Sequence, residues 1–145
     1  MLQRLKSTDL KEFVDTDISL LILRLFTAFF MFLGHGWGKL TNVFTGNFPA
    51  QFDPIGLGPE VSLILSAFAE GICAILIMVG FYTRAAAIFL IVNMSVAFLF
   101  VHISDPFGRM EMALVYLVIF LSVFLLGPGK YSIDGKMKSG SEGMM

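Results

Sequence analysis

Four apolar runs set the plan of this chain, each close to the ~20 residues that cross ~30 Å of hydrocarbon as a helix. They cover 19–40, 60–81, 83–103 and 110–126. Asp17 or Ser19 is placed to cap the first. The second follows Gly56-Leu57-Gly58-Pro59, and the third follows a tight Gly80-Phe81-Tyr82-Thr83 turn that forces an antiparallel hairpin. The fourth stops at Gly127-Pro128-Gly129. So many spans on connections this short predict an all-α membrane protein, a four-transmembrane-helix up-down bundle over residues 19–130.

The flanks are polar. Residues 1–18 form an arm in which Leu2, Leu5, Phe13 and Val14 could line one side of a helix on the membrane surface; a frayed terminus is the duller alternative. The first apolar run starts too late and runs too long for a signal peptide. Residues 131–145, rich in Gly, Ser, Lys and Met, read as a flexible tail. The connection 41–59 has no basic residue but holds Phe44, Phe48, Phe52 and Ile55, which predicts a part-buried lid over one mouth of the bundle. Arg4, Lys6, Lys11, Arg84, Lys130, Lys136 and Lys138 all fall on one side, which predicts cytoplasmic termini in a bacterial inner membrane.

Composition excludes several functions. With 57% hydrophobic residues the chain is too apolar for a soluble domain of this size. A net charge of −1 argues against a nucleic-acid partner. Cys73 is the only cysteine, so intrachain disulfides, CxxC pairs, iron–sulfur clusters and thiolate zinc sites are ruled out.

The spans nonetheless carry charge. Arg24 and His35 lie ~20° apart around the first helix, and Lys39 ~60° from Arg24. A charge in hydrocarbon costs roughly 2.5–3.5 kcal/mol on insertion scales, so this face should turn inward and find partners. Glu70 falls near the midplane, with Ser66 and Cys73 on its face. His102 and Glu111 end the third span and begin the fourth, sharing faces with Ser95 and Ser122. The candidate site is therefore an outer cluster of His35, Lys39, His102 and Glu111 above Glu70, with Arg24 lower still. Blander readings stand beside it: Glu70 with Arg24 as a register-fixing pair, the histidines as interfacial, Lys39 and Arg109 as snorkelling cations. Gly34-xxx-Gly38 and Ala67-xxx-Gly71 read as packing grooves, Trp37 as an interface anchor, and Cys73 as a core residue.

Nothing beyond two histidines suggests haem, and a metal held by them with Glu111 is an equally minor reading. A quinone head group suits the cluster better. Its carbonyls accept hydrogen bonds from His, Lys or Arg, and a nearby carboxylate can move protons. No cofactor of its own is expected.

In their order and spacing the motifs resemble the DoxX family of small four-helix membrane proteins over about residues 20–134. They are Leu23-Arg24-Leu25, Gly34 with Lys39-Leu40, Glu70-Gly71, Gly80-Phe81-Tyr82-Thr83-Arg84, His102, Glu111, and Gly127-Pro128-Gly129-Lys130-Tyr131-Ser132-Ile133-Asp134. The resemblance implies a setting alongside quinol oxidases, sulfur-compound:quinone oxidoreductases or oxidative-stress complexes. It carries no role for His35.

Two readings follow. One is a redox-associated subunit that meets membrane quinone and a partner oxidoreductase, with Arg24, His35, Lys39, Glu70, His102 and Glu111 lining a quinone or proton site. The other is a non-catalytic scaffold, assembly subunit or small carrier, alone or as a homo-oligomer, whose charges fix helix packing. The lipid bilayer is a partner in both.

Overall fold

A computed structural model describes residues 15–142. Four helices in it are long and apolar enough to cross a bilayer: α1 (Thr16–Thr45), α2 (Pro59–Val79), α3 (Thr83–Val101) and α4 (Phe107–Leu126). A short α5 (Ile133–Glu142) follows, and no strand occurs among the described residues. This is the expected all-helical four-span bundle. Asp15 and Lys130, which flank the bundle in sequence, form an ion pair of 2.7 Å, so both described ends of the spanning domain lie together.

Each boundary has a local cause. Asp15, rather than Asp17 or Ser19, caps α1 by accepting from the Asp17 amide. Asp17 instead accepts from the Lys130 amide at 2.8 Å, tying the start of α1 to the end of α4. Helix α1 runs past residue 40 to Gly46, whose left-handed backbone (φ 68°) ends it. Pro59 opens α2, and Gly80 closes it in the left-handed region. Tyr82 shares that conformation (φ 47°) and has no side-chain cap to offer α3.

The missing cap comes from the far end of the chain. Both Asp134 carboxylate oxygens accept at 2.9 Å, one from the Tyr82 amide, the other from the Thr83 amide and hydroxyl. The Asp134 amide in turn donates to the Gly80 carbonyl. The segment expected to be a flexible tail therefore begins as an ordered helix, because Asp134 joins it to the α2–α3 turn. The surface reading of Leu2, Leu5, Phe13 and Val14 lies outside the described residues.

Apart from Phe120, the core is built from small and medium side chains. Ala28, Met31, Cys73, Ala74, Ile77, Ala87, Leu90, Phe120 and Val123 are buried. Large residues such as Phe26, Phe30, Leu33 and Val92 face outward, as a lipid-solvated bundle requires. Trp37 is likewise exposed. Gly34 and Gly38, expected to form a groove, face open space. Close approach occurs between them: a Cβ on Gly36 would overlap the Glu70 carbonyl, so here the backbones of α1 and α2 touch.

Candidate functional site

Glu70 is 3% exposed and sits where Gly36 brings α1 against α2. An unpaired carboxylate at this depth would be very costly, so it gathers donors. Lys39 on α1 forms an ion pair with it. Asn93 on α3 donates to it at 2.7 Å, and Ser66, one turn back on α2, at 3.3 Å. Three helices thus meet on one carboxylate. The Lys39 ammonium also lies 5.6 Å from the centroid of the Phe52 ring in the α1–α2 loop.

Three stretches around this point leave the α-helical pattern for π-helix: Phe32–Gly36, Phe68–Cys73 and Ala97–Val101. A π-turn inserts a residue and re-aims the side chains that follow; such turns gather at functional sites. The first contains His35 and the second Glu70. The third runs into His102, whose amide donates to Ala97 in an i→i+5 bond of 2.9 Å.

These residues enclose a cavity of about 370 Å³ in the half of the bundle away from the termini. One wall is polar: His35, Lys39, Ser66, Glu70, Asn93, His102, Arg109 and Tyr116. The rest is apolar, with Met31, Leu65, Phe68, Phe89, Val92 and Met112. Phe52, Pro54 and Ile55 line the end of the cavity under the α1–α2 loop, where a part-buried lid is expected; Phe44, by contrast, belongs to α1 and is exposed, as is Ile55. Asp53 shapes that lid by accepting from the Leu57 and Gly58 amides and from the Ser62 hydroxyl. Burial pushes the Asp53 carboxyl up. The bonds from Ser62, Gly58, Leu57 and Gly56 outweigh it and leave the group below its ordinary value.

Around the rim His102 Nδ1 lies 2.7 Å from Asp105, which Arg109 approaches at 3.8 Å. His35 meets the Tyr116 ring edge to face at 6.0 Å, and Tyr116 stacks on Phe120. His35, Lys39, Glu70 and His102 therefore share one cavity.

Arg24 and Glu111 lie elsewhere. Arg24 is 1% exposed, but its partners are backbone carbonyls rather than Glu70. Its guanidinium donates to Ile77 at 2.9 Å and Met78 at 3.0 Å, and to Tyr131. Ile77 and Met78 lie in the last turn of α2, where carbonyls outnumber intrahelical amide donors, although Ile77 also accepts from the Gly80 amide at 3.1 Å; Arg24 thereby clamps the foot of α2 to the segment before α5. Glu111 is exposed. The cavity takes Arg109, Met112, Ala113 and Tyr116 from α4, an i, i+3, i+4, i+7 stripe, and Glu111 falls on the other side of it. Ser95 and Ser122 only back-bond to their own helices, at Ile91 and Val118. Asn93 and Tyr116 are the additions. A lone asparagine amid the apolar residues of α3 was the visible signal for the first.

Comparison with known proteins identifies the chain. A family model described as DoxX matches residues 19–103, more than half of its length. The chain belongs to the DoxX family. It is a multi-pass integral membrane protein. An uncharacterized protein of Haemophilus influenzae is 31% identical over 128 residues, covering 81% of this chain and 89% of the relative. No solved structure matches. In this DoxX protein the family match takes in the three π-helical stretches found among the described residues and ends just past His102. Tyr116 and Arg109, contributed by α4, lie beyond it.

Proposed function

We propose that this DoxX protein binds the head group of a membrane quinone in the cavity around Lys39 and Glu70, as a redox-associated subunit. The observation that carries this is the convergence of the π-helical stretches on one amphipathic cavity. His35, Glu70 and His102 each come from such a stretch or follow directly from it. The volume lies within the ~300–1,000 Å³ of small-molecule sites, and apolar walls with a few converging polar groups are their usual make-up.

The donors suit the two carbonyl oxygens of a quinone ring. Lys39, His35 and His102 offer N–H groups, and Tyr116 an aromatic face. A quinone accepts two electrons and two protons to become a quinol. The electrons come from a partner oxidoreductase. Protons reach the head group from the Glu70–Lys39 pair and from His102, the histidine nearest the outer end. Arg84, Lys130, Lys136 and Lys138 gather at the end of the bundle that bears the termini, and Lys39 turns inward to Glu70. That asymmetry supports cytoplasmic termini in the inner membrane. Titration of the purified protein with decylubiquinone tests the reading. Saturable binding, weakened in Glu70→Gln and His35→Ala, is expected; heats equal to those of empty nanodiscs reject it.

Arg24 favours a second role beside the first. A charge whose two terminal nitrogens are held by backbone carbonyls serves register and assembly, the scaffold reading. Arg24→Met would then lower the yield of folded protein while leaving the quinone affinity of the folded fraction unchanged.

A further inference from the structure

The polar wall accounts for a head group, and the apolar side has an opening of its own. Leu65, Phe68, Phe89 and Val92 all line the cavity. They are also 52%, 40%, 52% and 57% exposed. A side chain that meets both the cavity and the exterior stands on a rim. Two of these residues are on α2 and two on α3, and the antiparallel hairpin sets Phe68 beside Phe89 and Leu65 beside Val92. The two phenylalanine rings meet edge to face, with centroids 5.2 Å apart and planes at 89°.

Depth decides what lies outside this rim. At ~1.5 Å per residue Phe68 is about 13 Å below the start of α2, and Phe89 about 9 Å from the opposite end of α3. The exterior there is hydrocarbon. The end of the cavity under the α1–α2 loop is lined by Phe52, Pro54 and Ile55, on a loop tied down by Asp53; Ile55, Val101 and Met112 stand on the rim there, 45%, 43% and 51% exposed. The loop side carries the Asp53-braced segment, and the lipid side is rimmed by two aromatic rings packed on each other.

Resting on the head-group reading above, we infer that the gap between α2 and α3 is a lateral portal for the hydrocarbon chain of the ligand. Phe68 and Phe89 form its gate. Glu70, two residues along from Phe68 on the same π-helical stretch, puts the polar end of the site just inside. A molecule with a polar ring and an isoprenoid or alkyl chain fits this layout with the ring inside and the chain left in the bilayer. The portal selects for tailed ligands, because a ring alone gains nothing from Leu65, Phe68, Phe89 and Val92.

The test uses the full chain in nanodiscs and a ubiquinone-type ring bearing a ten-carbon tail with a photoactivatable diazirine at its end. Labelled residues are mapped by mass spectrometry, with excess decylubiquinone as competitor. Labelling at Leu65, Phe68, Phe89 and Val92, suppressed by the competitor, is expected. In Phe89→Ala the tailed ring should bind about tenfold more weakly, while the tailless dimethoxy-methyl-benzoquinone is unaffected. Suppressible labelling confined to α1, α4 or the 46–58 loop overturns the portal but leaves the head-group site standing. Equal weakening of both ligands in Phe89→Ala also overturns the portal. No suppressible labelling together with no binding of the tailless ring overturns both.

Discussion

Lys39 and Glu70 form an ion pair between α1 and α2 at the level where Gly36 lets the two backbones touch. The carboxylate is almost wholly buried and the lysine one-fifth exposed, at 4% and 21% of their side chains. Removing one member strands the other. Glu70→Gln or Lys39→Met alone should each cost about 3 kcal/mol, at the low end for a broken buried pair because Lys39 keeps some exposure. The double variant should recover part of that loss. Thermal unfolding in detergent reads it: additive losses in the double variant would show that the pair is not a unit.

Gly36 makes a sharper packing prediction than either of its glycine neighbours. Gly36→Ala drives a methyl group into the Glu70 carbonyl and should destabilise by ~1–3 kcal/mol. Gly34→Ala and Gly38→Ala point into open space and should stay within about 0.5 kcal/mol. A common loss for all three in the same thermal assay would contradict the placement of the contact.

The α2–α3 turn depends on a residue more than fifty positions away. Asp134→Ala removes the acceptors for Tyr82 and Thr83 and should cost ~1–2 kcal/mol, as a lost N-cap does. Hydrogen exchange should rise at the first amides of α3 and in α5 together. A rise in α5 alone would mean that Asp134 does not cap α3.

Much of this architecture is legible in the residues themselves. The spans follow from their apolar runs, the hairpin from Gly80 and its neighbours, and the inward turn of Glu70 from the cost of a charge in lipid. Arg24 was not legible, because its partners are backbone carbonyls and every residue has one. The α5 helix was missed for a related reason. Its composition is that of a coil, and its order comes from Asp134 reaching a distant turn. The π-helical stretches leave no mark in periodicity, since one inserted residue looks like noise in an apolar run. Glu111 was a different case: α4 is apolar nearly all round, so only its packing shows that Arg109, Met112, Ala113 and Tyr116 face the cavity and Glu111 does not.

Stability at the terminal end should depend on pH at both extremes. A hydrogen bond from Lys130 holds the Asp15 carboxyl below its ordinary 3.8, so its contribution is present above 3.8 and lost as pH falls through the lowered value. The same bond holds Lys130 above 10.5, so its share is present below 10.5 and lost as pH rises through the raised value. Between these limits the pair is intact. Asp15→Asn should make the acid limb of an unfolding-against-pH profile slightly shallower, since the pair is exposed and Asp53 titrates on the same limb; an unchanged acid limb would rule out this pair as a contributor.

The central claim is that the cavity beside Lys39 and Glu70 holds a membrane quinone. Mass spectrometry of lipids co-extracted with the purified protein, wild type beside Glu70→Gln in matched folded amounts, tests it most directly. Quinone enriched over the surrounding membrane lipid in the wild type, and reduced to the membrane background in Glu70→Gln, is the predicted result. Background quinone in both, or equal enrichment in both, would contradict it.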